Sequence, residues 1–243
     1  MAEPKTPTQD PVAEAPVAPP AVTLPPWLEQ VWSDRRIRYG AAALLALALA
    51  VAGYLLWRSA QQDREQEASV ALSRVLPYIE AEQYDQALDG DPKKTVRGEP
   101  VQGLRTIADT YGGTTAGKTA AFYAGQIFLS RKQYDDAERY FEQASSSDAV
   151  LVRIGAQAGL AACYEQRSKF EEAARLYEQV LSDAERAGVK DKFMLEAALC
   201  YEKAGKADHA IRLLKALLAE FEFSEYAPDA KAGLVRLGTV VEY

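Results

Sequence analysis

The chain has 243 residues, 48% of them hydrophobic and 26% charged, with a formal net charge of −7. Two cysteines and one histidine exclude a disulfide scaffold and leave too little for a histidine-based zinc site or a Ser-His-Asp triad. The acidic balance argues against nucleic-acid binding, which draws on a basic face, and a single bilayer-length apolar segment excludes a polytopic transporter.

Residues 1–38 carry eight of the twelve prolines, and from Met1 to about Pro26 large apolar side chains are almost absent. Such a segment cannot bury enough surface to offset its ordering entropy, so it is expected to be a disordered tether. Its end, from Pro26 to Trp32, is expected to form a short amphipathic turn at a membrane surface. Residues 39–57, from Tyr39 to Trp57, are nineteen positions without a charge. As a helix they would measure roughly 28 Å, against a hydrocarbon core of about 30 Å. Trp27, Trp32 and Trp57 are the three tryptophans, and with Tyr39 they flank this stretch as interfacial anchors do. A buried core helix and a cleaved signal peptide are the alternatives. Nineteen uncharged positions count against the first, and apolar sequence running past Ala48-Leu49-Ala50 counts against the second. Arg35, Arg36 and Arg38 precede the stretch, while Arg58 and Arg64 follow it among acids. This bias places the tail inside and the C-terminal domain outside. In a bacterium that means a single-pass inner-membrane protein with a periplasmic domain.

From Ser59 onward the periodicity is helical, and the fold class expected is all-α. Residues 58–100 read as a linking helix, a degenerate repeat at Tyr84-Asp85-Gln86-Ala87-Leu88 and a loop insertion from Asp89 to Pro100. Residues 101–243 read as a helical repeat domain, opening with a helix over Val101 to Tyr111. Three segments align there: Tyr134-Asp135-Asp136-Ala137, Phe170-Glu171-Glu172-Ala173 and Ala207-Asp208-His209-Ala210, spaced 36 and 37 residues apart. Phe221 to Ala230 predicts the turn into a capping helix ending near Val240.

These segments resemble the tetratricopeptide repeat family. Gly125, Ala161 and Ala198 match the small crossing position of its first helix, and Ala137, Ala173 and Ala210 that of its second. Helix axes come within about 8–10 Å only where side chains are short. The resemblance implies a helical solenoid whose first helices line a peptide-binding groove. Carried onto this sequence, Phe122, Tyr123, Gln126 and Leu129 line it from the first clear repeat. Ala158, Gly159, Ala162 and Glu165 come from the second, and Leu195, Glu196, Leu199, Glu202 and Lys203 from the third. Tyr123, Gly159 and Glu196 stand where carboxylate-clamping members carry Asn, so that clamp is not expected. The competing reading has Phe122 and Leu199 packing against the next repeat or a terminal helix.

Gly112-Gly113-Thr114-Thr115-Ala116-Gly117-Lys118-Thr119 fits the phosphate-loop expression G-x-x-x-x-G-K-[ST], which works when a strand feeds the loop. Leu104 to Tyr111 has helical spacing instead, so these residues are read as an inter-repeat turn capped by Thr114 or Thr115. Cys163 and Cys200 occupy equivalent repeat positions and are read as small buried residues. His209 is read as an exposed polar residue, and the paired acids as helix-start charges favouring the macrodipole. No catalytic group, metal ligand or cofactor is expected.

One anchor followed by an outward-facing repeat domain resembles the bacterial ancillary SecYEG translocon subunit family, through layout and through the run Tyr111 to Ala144. The resemblance implies a non-enzymatic chaperone or adaptor whose partners are translocon subunits, periplasmic chaperones or extended client segments. A structural subunit or assembly factor of another envelope complex is the alternative, and nothing in the sequence separates the two.

Overall fold

The structure, a computed structural model, describes residues 35–96 and 98–239. Residues 1–34, Trp27 and Trp32 among them, and the Arg38 side chain lie outside the described residues. Two units are distinguished, Met1–Leu56 and Trp57–Tyr243.

Helix α1 spans Arg35–Glu80 and contains the whole uncharged stretch. It is the one helix among the described residues long and apolar enough to cross a membrane, by length and composition. Its apolar side chains are not core: Leu44, Leu47, Leu49 and Trp57 are all exposed. Beyond Trp57 the same helix changes character. Ala68, Ala71, Leu72, Val75 and Tyr78 recur at three- and four-residue intervals and are buried, the stripe by which an amphipathic helix joins a core.

The elements that follow are α2 Tyr84–Asp89, β1 Gly90–Val96, β2 Glu99–Gln102, α3 Leu104–Thr110, α4 Thr115–Ser130, α5 Tyr134–Ala144, α6 Val150–Gln166, α7 Phe170–Gln179, α8 Leu181–Ala187, α9 Lys190–Lys203, α10 Ala207–Glu220 and α11 Ala227–Arg236. The architecture is an all-α solenoid of helix pairs, α4/α5, α6/α7 and α9/α10, capped by α11.

Every pair turns the same way. In α4/α5, α6/α7 and α9/α10 the turn holds one residue at positive φ: Lys132 at 61°, Ser168 at 58° and Gly205 at 72°. The next amide bonds back to an aromatic residue's carbonyl, Gln133 N to Phe128 O, Lys169 N to Tyr164 O and Lys206 N to Tyr201 O, each at 2.9 Å. This six-to-one bond closes a helix C-terminus and satisfies its last carbonyls. The degenerate repeat has the same device, with Glu82 at 55° and Gln83 N on Tyr78 O at 2.8 Å. The end of α1 and α2 are therefore a fourth pair.

The insertion in that pair differs from the sequence expectation. Residues 89–100 were expected as a loop, with a helix resuming at Val101. The structure has an antiparallel hairpin, Gly90 opposite Gln102 and Val96 opposite Glu99, and Val101 lies buried in β2. The helix resumes only at Leu104. Tyr84 and Tyr134 are 50 residues apart, fourteen more than Tyr134 and Phe170, and Gly90 to Gly103 is fourteen residues. The hairpin is thus spliced into a second helix, of which α2 and α3 are the halves. A Cβ on Gly103 would stand 2.2 Å from Leu88 O, so only glycine lets the chain leave and rejoin the helix at one point.

Two hydrophobic clusters form the core of residues 57–243. The first runs from Ala68 to Cys163 and the second from Ile154 to Leu234. Helix α6 serves both, giving Ala156, Leu160 and Cys163 to the first and Ile154 and Ala161 to the second. The small crossing residues Ala137, Ala173 and Ala210 are all fully buried.

Candidate protein-binding face

The first helices α4, α6 and α9 carry the residues expected to line a groove. Gln126 and Lys203 are exposed, and Tyr123, Leu129, Ala158, Ala162, Glu165, Glu196 and Leu199 are half-buried. At its middle, on α6, the side chains are the half-buried methyl groups of Ala158 and Ala162. Phe122 is half-buried but engaged. Its ring lies against Gly155 of α6, where a Cβ would come within 2.7 Å, and its centroid is 6.2 Å from that of Phe141. Leu195 is only 5% exposed and belongs to the second core, so it offers no surface to a ligand. Gly159 is likewise buried, under the Phe141 ring.

The polar members form a network spanning two pairs. Glu165 of α6 accepts from the Tyr177 hydroxyl at 3.0 Å and from Lys203 Nζ at 3.0 Å. Burial beside Glu165 pushes the Tyr177 phenol up. Burial pushes the Cys163 thiol up to about 11 and Cys200 to about 12, so neither is a thiolate nucleophile at neutral pH. Both cysteines are free and buried. Glu202 is not free either: Arg236 of the capping helix grips it with two bonds of 2.8 Å. His209 is exposed, its ring centroid 4.9 Å from that of Tyr201.

The Glu196 carboxyl is held above its usual range, first by burial and then by the charge of Glu165. An acid whose folded pKa is raised favours folding below its unfolded pKa and loses that contribution as pH rises through the folded value. Glu196→Gln is therefore expected to raise stability at neutral pH, with the gain disappearing on acidification toward pH about 4. Urea unfolding at the two pH values reads this directly; an equal effect at both would overturn it.

The phosphate-loop expression also resolves in geometric terms. Residues 112–119 form the turn into α4. Thr114 caps the helix, its hydroxyl accepting from Gly117 N at 3.0 Å and donating to Tyr111 O at 2.7 Å. The amides of Thr115 and Ala116 are taken by the Glu65 carboxylate from α1, at 2.6 and 2.9 Å. Lys118 Nζ turns away to Ser146 O at 2.8 Å. The first turn of α4 has no acidic residue of its own, and Glu65 supplies the negative charge a helix N-terminus favours. An internal carboxylate thus holds amides that a phosphate would need. Sequence spacing could not reveal this, because the partners are 50 residues apart. Glu65→Ala is expected to cost about 1.5–3 kcal/mol, the range for hydrogen bonds to a charged group. Faster amide exchange confined to residues 115–118 would report it.

Three pairs with one turn geometry and small crossing residues define a helical repeat solenoid. Residues 158–188 match the family model described as tetratricopeptide repeat. Among solved structures, the chain is similar to the N-terminal domain of stress-induced protein-1 (STI-1) from C. elegans, 20% identical over 49% of this chain and 95% of that one, with a TM-score of 0.43. Comparison with curated proteins gives no match. Among the described residues no group of three or more His, Cys, Asp or Glu is placed to hold a metal ion.

Proposed function

We propose that this chain is a membrane-anchored, non-enzymatic adaptor whose repeat domain holds extended protein segments outside the bacterial inner membrane, beside the Sec translocon. The observation that carries the binding role is the partly open face of α4, α6 and α9, apolar at Tyr123 and Leu199 and small at Ala158 and Ala162. Extended segments suit such a face, since methyl-lined positions leave room for a backbone and its side chains. Their ordering cost keeps affinity moderate, as release of a client requires. The exposed apolar stretch of α1 supports an anchor, and the arginines before it support a periplasmic domain. The translocon as partner rests on the resemblance of layout alone.

Photo-crosslinkers at Gln126 and Lys203, both exposed, test the reading in mild detergent extracts of the full chain. Translocon subunits together with many secreted chains are expected. One stoichiometric membrane partner without translocon would overturn it in favour of a structural subunit of another envelope complex.

A further inference from the structure

A cleft lies outside the repeat face. It has a volume of about 890 Å³, within the range of about 300–1,000 Å³ usual for ligand clefts. One wall is the α1 stretch from Asp63 to Arg74, and the other is β2 of the spliced hairpin with Tyr111 at the end of α3. A regular helix pair has no such second wall; the fourteen inserted residues build it. Val70, Ala71, Pro100 and Tyr111 give the cleft its apolar surface, with Val70 39% exposed.

Its charge is one-sided. Asp63, Glu67 and Glu99 line it against a single cation, Arg74. Arg74 is spent on Glu99, and its side chain is only 12% exposed. Asp63 and Glu67 are exposed and have no hydrogen-bond or ion-pair partner among the described residues. An acidic rim repels anionic lipid and acidic chains and attracts cationic ones.

We propose that this cleft docks an extended polypeptide segment of a partner protein, one carrying Lys or Arg beside small aliphatic side chains. The aliphatic groups lie on Val70, Ala71 and Pro100, and the cation meets Asp63 and Glu67. The residues involved are separate from those of the repeat face, so either reading can fail without the other.

The test uses the full chain in detergent micelles against a displayed library of random decapeptides. Selected peptides are expected to favour Lys and Arg over Asp and Glu by about tenfold, the step that 1.4 kcal/mol gives. Raising salt to about 0.5 M should weaken the selection, since exposed pairs are screened. The double reversal Asp63→Lys with Glu67→Lys is expected to abolish the preference, while Glu222→Lys, at an exposed acid that belongs neither to the cleft nor to the repeat face, leaves it intact. Melting curves establish that each variant folds; should the reversal unfold, Asp63→Asn with Glu67→Gln replaces it and is expected to reduce the preference. Selection without basic enrichment, enrichment of acidic peptides, or a preference surviving in the Asp63/Glu67 variant would overturn the proposal.

Discussion

Phe141→Ala is expected to cost about 3–5 kcal/mol, among the largest losses a single truncation can cause in this chain. The ring is 1% exposed and sits on α5 between the two neighbouring first helices. On one side it meets Gly125 of α4, where a Cβ would approach to 2.8 Å. On the other it meets Gly159 of α6, where the approach would be 2.4 Å. One aromatic ring therefore fills the space that two glycines leave, and it sets the spacing of three helices. Glycine cannot reach into the cavity left by truncation, so little collapse is available to offset the loss. For a domain of this size each kcal/mol lowers the melting temperature by about 2–4 °C. The reciprocal substitution, Gly159→Ala, should cost about 1–3 kcal/mol by overpacking. In the Phe141→Ala background that cost should shrink or reverse, because the new methyl group enters the vacated space. Urea denaturation of the four-member cycle gives the coupling. Additive costs would show that Phe141 and Gly159 do not share one packing site.

The legible parts of this chain are those whose cause is local. Ala137, Ala173 and Ala210 repeat at intervals of 36 and 37 residues because each sits at the same crossing of two helices, and distance alone demands a small side chain there. The uncharged stretch from Tyr39 to Trp57 is legible for the same reason, since composition over nineteen residues is enough to mark it. What escaped depends on partners distant in sequence. The hairpin is held by Gly90 and Gly103, whose close approach to Val101 O and Leu88 O exists only once the helix halves are aligned. Its strands carry Asp91, Pro92 and two lysines rather than alternating apolar residues, so the period-two signal of a half-buried strand is missing. On the repeat face, helical spacing placed Leu195 and Leu199 together. One is buried and the other half-buried, a difference fixed by how α7 and α10 flank α9 and not by the spacing itself. Glu202 was legible as a first-helix residue, but its grip by Arg236 required knowing where α11 folds back.

The residues of the phosphate-loop expression are expected to matter for folding at Gly117 and hardly at all at Lys118. Gly117→Ala should destabilise the chain by about 3 kcal/mol or more, at the upper end for overpacking, while Lys118→Ala should cost less than about 1 kcal/mol. A Cβ on Gly117 would lie 1.9 Å from Tyr111 O and 2.4 Å from its carbonyl carbon. These are backbone atoms, which cannot swing aside as a side-chain tip can. Tyr111 O also accepts from Thr114 N at 2.8 Å and from Thr114 Oγ1 at 2.7 Å. Displacing it loosens the turn, then the Thr114 cap on Gly117 N, then the helix start that Glu65 holds. Lys118 makes one bond, to a surface carbonyl of the next turn, and water can replace it. A nucleotide site would add a nucleotide affinity that Lys118→Ala abolishes, because its lysine reaches the phosphates while the loop amides cradle them. Denaturation of both variants, with nucleotide titration of the parent chain, separates the two cases. Nucleotide binding that vanishes in Lys118→Ala would overturn the structural reading. A large loss of stability in Gly117→Ala beside a near-silent Lys118→Ala would follow from Glu65 already occupying the helix start.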